Sequence, residues 1–222
     1  MQKIGDFWIP DGDARPGANL EKSKRSFEYN EGVQIGHLKR ALELVPKFDI
    51  AVDGGANVGS WTRLMAKLFS EVHSFEPNAC AYECLERNVH EWGISPIVRT
   101  YPNGLSDQDE CVSIVTPQDA RTVTSFVGGK GDVKCITIDS LELVGCSFIK
   151  LDVEGYEAKV LNGAYKTIKA FRPWIMIENK HQQNARYGEP DAPEKLLAKF
   201  EYILVEKIGD RQIDWLFKPV GE

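Results

Sequence analysis

The stretch from residue 49 to residue 59 constrains the fold more than any other part of this chain. Its apolar run at residues 50–52 ends on the carboxylate of Asp53, glycines follow at 54, 55 and 59, and an amphipathic segment begins at Trp61. This order predicts a strand, a tight turn and a helix. Glycines let backbone N–H groups approach a ligand closely, and the positive end of the following helix would point at it. We therefore expect this turn to bind a ligand.

Strand and helix patterns alternate along most of the chain after this turn, which predicts βαβ units around a parallel sheet. The block 107–139 departs from this pattern, because it holds β-rich pieces without a helix. We predict an antiparallel insertion there, with a hairpin turn at Gly128–Asp132, and a second antiparallel hairpin around Gly209–Asp210. The predicted strands are 49–53, 72–76, 96–101, 148–152, 173–179, 201–207 and 212–218, and the predicted helices are 33–45, 58–69, 78–92, 156–170 and 193–200.

Residues 1–31 are rich in turn signals and are predicted to form an extended arm. Trp8 in this arm is a candidate for lining a substrate entrance; alternatively, it anchors the arm on the core. The sequence thus predicts two parts. Residues 1–45 form an arm and helix that cap the substrate site, and residues 46–222 form the catalytic domain.

The overall charge and the cysteines narrow the class of protein. The 222 residues carry a formal net charge of -6, which argues against a nucleic-acid partner. No apolar run approaches the roughly 20 residues of a membrane helix, and the N-terminus lacks the apolar region of a secretory signal. Five cysteines without a C-x-x-C pair favour reduced thiols. These features predict a cytoplasmic protein without a membrane partner, and they leave the oligomeric state open.

Four predicted strands end in carboxylates: Asp53, Glu76, Asp152 and Glu178. The ends of parallel strands share one edge of a sheet, where open α/β folds bind their ligands. Glu76 lies where an acidic group grips a ribose diol, so the ligand contains a nucleoside, either NAD or S-adenosylmethionine. Asp53 directly before the glycines would repel a pyrophosphate but suit a sulfonium. The antiparallel last strand is also unlike a dinucleotide-binding half, so S-adenosylmethionine is favoured.

Three segments, Val52–Gly59, Phe75–Asn78 and Phe148–Glu157, resemble signature blocks of the FkbM-type methyltransferases. Residues 105–107, 137–141, 160–164 and 177–178 continue the resemblance in order, over roughly residues 48–218. The resemblance implies an α/β class I methyltransferase fold: Rossmann-like and doubly wound, with a mostly parallel seven-stranded sheet and an antiparallel last strand. It also implies S-adenosylmethionine as cofactor and a hydroxyl-bearing acceptor such as a sugar.

The same resemblance assigns residues to the parts of the cofactor. Asp53, Gly55, Asn57 and Gly59 would hold the methionine end, with Gly54 and Ala56 in the same turn. Glu76 would bind the ribose hydroxyls, beside Pro77. Asn103, Gly104 and Leu105 would lie near the adenine.

Methyl transfer to a hydroxyl calls for a base or a metal, because an alkyl hydroxyl is a poor nucleophile. Asp152 and Glu178 are the candidates at the strand ends, and His181 is a candidate base or an ordinary exposed histidine. Catechol-type O-methyltransferases place cation ligands at these two strand ends. By that likeness, Asp152, Glu178 and Asn179 are candidate Mg²⁺ ligands; alternatively, Asp152 and Glu154 only shape the pocket.

Glu154, Lys150 and Trp8 are the candidate contacts to the acceptor. Lys150 shares a strand face with Asp152, so it is alternatively a structural partner of Asp152 or Asp53. The sequence as a whole predicts an S-adenosylmethionine-dependent O-methyltransferase acting on a sugar, a glycan or a similar small acceptor. The alternatives are N-methylation of a small amine, nucleotide or peptide, an NAD-dependent oxidoreductase, and a binding module without turnover.

Overall fold

A computed structural model describes residues 1–11, 34–116 and 125–221 of the chain. Strands β1 to β5 are Gln2–Ile4, Phe7–Ile9, Ile50–Gly54, Glu71–Phe75 and Val98–Tyr101; β6 to β9 are Gly104–Leu105, Glu110–Val115, Phe126–Lys130 and Val133–Ile136; β10 to β13 are Phe148–Leu151, Trp174–Glu178, Tyr202–Ile208 and Asp214–Pro219. Helices α1 to α7 are Ile35–Leu42, Ser60–Met65, Ala79–Glu91, Glu157–Asn162, Tyr165–Phe171, His181–Asn184 and Ala192–Lys199.

Seven strands form the main sheet, in the order β12-β13-β11-β10-β3-β4-β5. The five strands from β11 to β5 are parallel to one another, and β13 pairs antiparallel with both of its neighbours. Both faces of the sheet are covered, which explains why its central strands are apolar at nearly every position. The α/β architecture with an antiparallel last strand is therefore confirmed.

Alternation along the strands sends successive side chains into two separate cores. One core joins Ala51, Phe148 and Met176 to helices α1, α2 and α3. The other joins Val52, Ile149 and Ile175 to helices α4, α5 and α7. The polar residues at the strand ends therefore lie between two rigid layers.

The predicted β-rich insertion is a second sheet, with strand order β6-β9-β7-β8. The hairpin predicted at Gly128–Asp132 is wrong, because β8 and β9 pair with opposite edges of β7 rather than with each other. Gly131 crosses the backbone of β7 so closely that a Cβ would lie 2.5 Å from the Ser113 nitrogen. Only a glycine fits at this crossing.

The helix predicted over 156–170 is two helices, α4 and α5. Gly163 separates them, and a Cβ there would lie 2.0 Å from the Ser106 carbonyl oxygen. The Gly163 carbonyl accepts a hydrogen bond from the Asp139 N–H (2.9 Å), and the Asp139 carboxylate caps the start of α5 through the Lys166 and Thr167 N–H groups. These contacts therefore divide a segment whose helical periodicity is continuous in the sequence.

The first eleven residues form a packed hairpin rather than an extended arm. Phe7 and Ile9 are buried, and the Trp8 N–H donates to Asn88 Oδ1 (2.7 Å) on α3. The Trp8 indole donates to Glu91 Oε1 (2.8 Å). These contacts favour Trp8 as an anchor on α3. Residues 12–33, which hold the remainder of the predicted arm and the predicted start of its helix, lie outside the described residues.

Candidate active site

The glycine turn after β3 is held by backbone contacts to the neighbouring strands. The Gly55 and Ala56 N–H groups both donate to the Phe75 carbonyl (3.0 and 2.9 Å). Gly55 has φ +75°, and a Cβ on it would lie 1.9 Å from the Asp152 carbonyl oxygen. Gly59 has φ +91° and packs against Leu85. Both positions require glycine, because their φ values are positive and a Cβ would collide with a neighbouring residue.

Glu76 follows β4 and connects the turn to the next βα loop. Its carboxylate is buried and accepts hydrogen bonds from the Asn57 and Asn78 N–H groups (both 2.8 Å). Burial raises its pKa to about 7, although the two N–H groups oppose that shift. A carboxylate offers about four lone-pair sites. Two of them therefore remain for hydroxyl donors of a ligand.

Asp53 lies inside the protein rather than on the cavity. Its carboxylate is fully buried, Oδ2 accepts from Thr62 Oγ1 (2.7 Å), and the Lys150 ammonium lies 3.0 Å from Oδ1. Lys150 also donates to the carbonyls of Gly54 and Gly55 (3.2 and 2.8 Å). Pairing of Lys150 with Asp53 is therefore confirmed. The Asp53 carboxylate is buried against Lys150, which compensates its charge, so the expectation that Asp53 faces a sulfonium is wrong.

A cavity of about 100 Å³ opens beside the turn and Glu76. Most of the predicted cofactor residues line it: Gly55, Asn57, Glu76, Pro77, Asn103, Gly104 and Leu105. Gly54, Ala56 and Gly59 shape the turn behind it. Four residues of the insertion, Ile114, Ser125, Phe126 and Val127, form a further wall, and the sequence pattern did not identify them. Sites for small molecules usually enclose about 300–1,000 Å³, so this cavity is narrow for a nucleoside.

Three carboxylates meet where β10 and β11 end. Asp152, Glu154 and Glu178 each place an oxygen within 4.8 Å of the other two. Burial and the neighbouring Asp152 raise the pKa of Glu154 to about 7, and the same two causes raise the pKa of Glu178. The Lys180 ammonium lies 2.5 Å from Glu178 Oε2. Like charges at this distance oppose full ionisation of the three carboxyl groups.

Two predicted catalytic or metal-binding residues lie outside this carboxylate group. The Asn179 side chain is buried, and its amide oxygen accepts from Asn184 Nδ2 (2.9 Å). His181 is largely exposed, and its Nε2 lies 2.7 Å from Glu194 Oε1. Adjacent strand residues point to opposite faces, which explains why Asn179 does not join Glu178. Glu154 is instead the third carboxylate of the group, and its backbone has φ +56°.

The insertion wall is tied to the segment that follows α6. Tyr187 donates its hydroxyl to the Val127 carbonyl (2.7 Å), and the Arg186 guanidinium lies 4.3 Å from the centre of the Phe126 ring. The Tyr187 ring meets Tyr156 edge-on at 4.8 Å. The cofactor cavity and the carboxylate group therefore share one boundary.

The order of the main sheet, the glycine turn and the acidic end of β4 together define a class I methyltransferase fold. Solved structures share this fold. A methyltransferase FkbM from Methylobacillus flagellatus KT matches with a TM-score of 0.54 and 19% identity, over 78% of this chain and 44% of that one. A putative rRNA-methylase from Clostridium thermocellum matches with a TM-score of 0.54 and 11% identity, over 85% and 96%. A putative methyltransferase from Streptococcus mutans in complex with SAH matches with a TM-score of 0.50 and 14% identity, over 83% and 94%.

The sequence comparisons identify the family. The model of the methyltransferase FkbM domain matches residues 53–215, more than half of the chain. The chain belongs to this family. The hexuronic acid methyltransferase AglP of Haloferax volcanii is 26% identical over 147 residues, which cover 64% of this chain and 60% of that protein. The match therefore spans less than two thirds of the relative. No helix in the described part of the chain has the length and apolar character to cross a membrane.

Proposed function

We propose that this protein transfers a methyl group from S-adenosylmethionine to a hydroxyl of a sugar or glycan. The observation that carries the proposal is the pairing of two sites on one sheet edge. A cavity with the Glu76 carboxylate lies beside the group formed by Asp152, Glu154 and Glu178. Family membership supports methyl transfer. The name of the relative AglP supports a sugar acceptor.

Different residues of the chain bind the cofactor, accept the proton and hold the acceptor. S-adenosylmethionine supplies an electrophilic methyl group for in-line displacement. Glu76 binds the ribose hydroxyls, and the turn at 54–59 positions the methionine end. Asp152 accepts the proton of the attacking hydroxyl, because it adjoins both the turn and Glu178. Glu178 and Glu154 hold the remaining acceptor hydroxyls, and the insertion wall excludes water. Holding the acceptor in line contributes roughly 7–11 kcal/mol to lowering the barrier.

Mass spectrometry tests this proposal directly. The protein is incubated with S-adenosylmethionine and a panel of sugars and oligosaccharides, and a gain of one methyl group is the expected product. Calorimetry with S-adenosylhomocysteine and with NADH tests the cofactor. Binding of NADH without binding of S-adenosylhomocysteine would overturn the proposal. Asp152→Asn should reduce turnover at least about 100-fold while S-adenosylhomocysteine affinity is kept.

A divalent cation is the second question at this site. Asp152, Glu154 and Glu178 are hard oxygen donors, so they are the residues that would hold Mg²⁺. Lys180 already compensates part of their charge and would have to withdraw. If a cation assists, EDTA should reduce methyl transfer and Mg²⁺ should restore it. Unchanged turnover in EDTA would assign charge compensation to Lys180 alone.

A further inference from the structure

A second histidine–carboxylate pair lies at the same sheet edge. His37 Nδ1 lies 2.7 Å from Asp214 Oδ2, and the Asp214 side chain is only 5% exposed. Asp214 is the first residue of β13 and lies directly opposite Glu178 in the strand register. Residues opposite one another in a ladder share a face. Asp214 therefore continues the row of acidic groups that starts at Asp152 and runs through Glu178.

Helix α1 places His37 above this row. Leu38 and Ala41 of α1 pack in the same core as Met176 and Leu216, each two residues away from an acidic member of the row. Alternation with a period of two puts Glu178 and Asp214 on the face that α1 covers. Burial raises the pKa of Asp214, the bond to His37 opposes that shift, and the charge of Asp152 adds to it. Glu178, Asp214 and the ring of His37 therefore lie on the same side of the sheet.

The bond to Asp214 determines which ring nitrogen of His37 can accept a hydrogen bond from a ligand. When the ring is neutral, Nδ1–H donates to Asp214 and Nε2 carries the lone pair. Among the described residues no group hydrogen-bonds to Nε2, and the side chain is 27% exposed. The ring packs over Gly209 so closely that a Cβ there would lie 2.6 Å from Nε2. The imidazole is thereby held in one orientation with an acceptor atom available.

The distance from the reacting methyl limits the role of His37. Neighbouring strands lie about 4.8 Å apart, so two strand spacings separate β10 from β13, or about 10 Å. Asp152 follows β10, and His37 lies beyond β13 on its partner Asp214. This separation exceeds the width of one sugar ring. His37 is therefore too far away to take the proton of the attacking hydroxyl.

We infer that His37, held by Asp214, binds a hydroxyl on a second unit of the acceptor, so that the acceptor is an oligosaccharide-like chain rather than a single sugar. The inference rests on the proposed function and adds the length of the acceptor to it. One unit lies over Asp152 and Glu178 and receives the methyl group. The next unit extends over β13 and donates a hydrogen bond to His37 Nε2.

Steady-state kinetics with matched acceptors test this inference. The probes are methyl glycosides of neutral hexoses and the trisaccharides built from the same units. The unmodified protein should show a kcat/KM for the trisaccharide about tenfold above that for the monosaccharide. His37→Ala should raise KM for the trisaccharide about five- to tenfold, with kcat retained and the monosaccharide values unchanged. Gly36→Ala is the matched control, because its Cβ meets nothing within 4 Å.

Other outcomes separate the two proposals. An equal loss with both acceptors, or no loss with either, overturns the role of His37. An unmodified protein that prefers the monosaccharide also overturns it. Binding of S-adenosylhomocysteine without methyl transfer to any sugar overturns the proposed function instead. Thermal melting establishes whether each variant is folded. If His37→Ala does not fold, His37→Gln keeps a donor for Asp214 and should give the same loss confined to the trisaccharide.

Discussion

The candidate active site lies along one edge of the main sheet, and the two halves of that edge are built in different ways. The half at β3, β4 and β5 is made mainly of backbone: Gly55 and Ala56 N–H groups on the Phe75 carbonyl, and Glu76 on two further N–H groups. The half at β10, β11 and β13 is made of side chains that compensate one another: Glu178 with Lys180 and His37 with Asp214. Under the proposed function, the first half binds the cofactor and the second half binds the acceptor.

Lys150 joins the halves, because it extends from β10 to the Asp53 carboxylate and to two carbonyls of the glycine turn. The two halves should therefore respond differently to substitution. Substitutions in the backbone half should remove cofactor binding, and substitutions in the side-chain half should leave it intact. Lys150 should behave as a member of the backbone half.

Gly55→Ala should have the largest effect. The added Cβ would lie 1.9 Å from the Asp152 carbonyl oxygen, at a φ of +75°. We expect a loss of more than about 4 kcal/mol in the free energy of unfolding, or failure to fold. Urea unfolding measures this loss, with Gly36→Ala as the control. A Gly55→Ala protein that melts like the parent would show that the turn is not constrained as described.

Lys150→Met should follow, with a loss of about 3–5 kcal/mol in the free energy of unfolding. The substitution leaves Asp53 buried without its cation. Adding Asp53→Asn to the same chain should recover much of that loss, because the uncompensated charge is then removed. A double-mutant cycle measures the coupling. Strictly additive effects would show that the two side chains are not a pair.

Glu76→Gln should weaken binding of S-adenosylhomocysteine about 10- to 100-fold. Hydrogen bonds to a charged group contribute about 1.5–3 kcal/mol, and the amide loses the charge and part of the acceptor capacity. Calorimetry checks the affinity. Glu83→Gln is the matched control, since Glu83 is exposed on α3. Equal affinity in the two variants would remove Glu76 from the cofactor site.

The last predicted effect concerns pH and belongs to the side-chain half. Glu154 has a native pKa of about 7, above the unfolded value of about 4.3. Between these values the native state binds more protons, so the contribution of Glu154 to stability is lost as pH rises from about 4.5 to 7. Glu154→Gln should remove that loss. Urea unfolding at pH 5, 6, 7 and 8 compares the two proteins, and parallel curves would contradict the prediction.

The backbone half could be predicted from the sequence because its contacts are local. Asn57, Phe75 and Glu76 lie close together along the chain, and the spacing of glycines and carboxylates fixes where they meet. The side-chain half depends on long-range contacts. His37 and Asp214 are 177 positions apart, and no local pattern connects them. The role of Asp53 was misjudged for a related reason: the sequence places a carboxylate before the turn but does not show which way it points.

The tie between Tyr187 and Val127 has a kinetic consequence. Under the proposed function the narrow cavity widens to admit the cofactor, and its insertion wall is tied to the segment beside the carboxylate group. An acceptor that holds this segment still should also slow the departure of the spent cofactor. The protein would then exchange its cofactor mainly between acceptors, and the residence time of S-adenosylhomocysteine would lengthen as acceptor concentration rises.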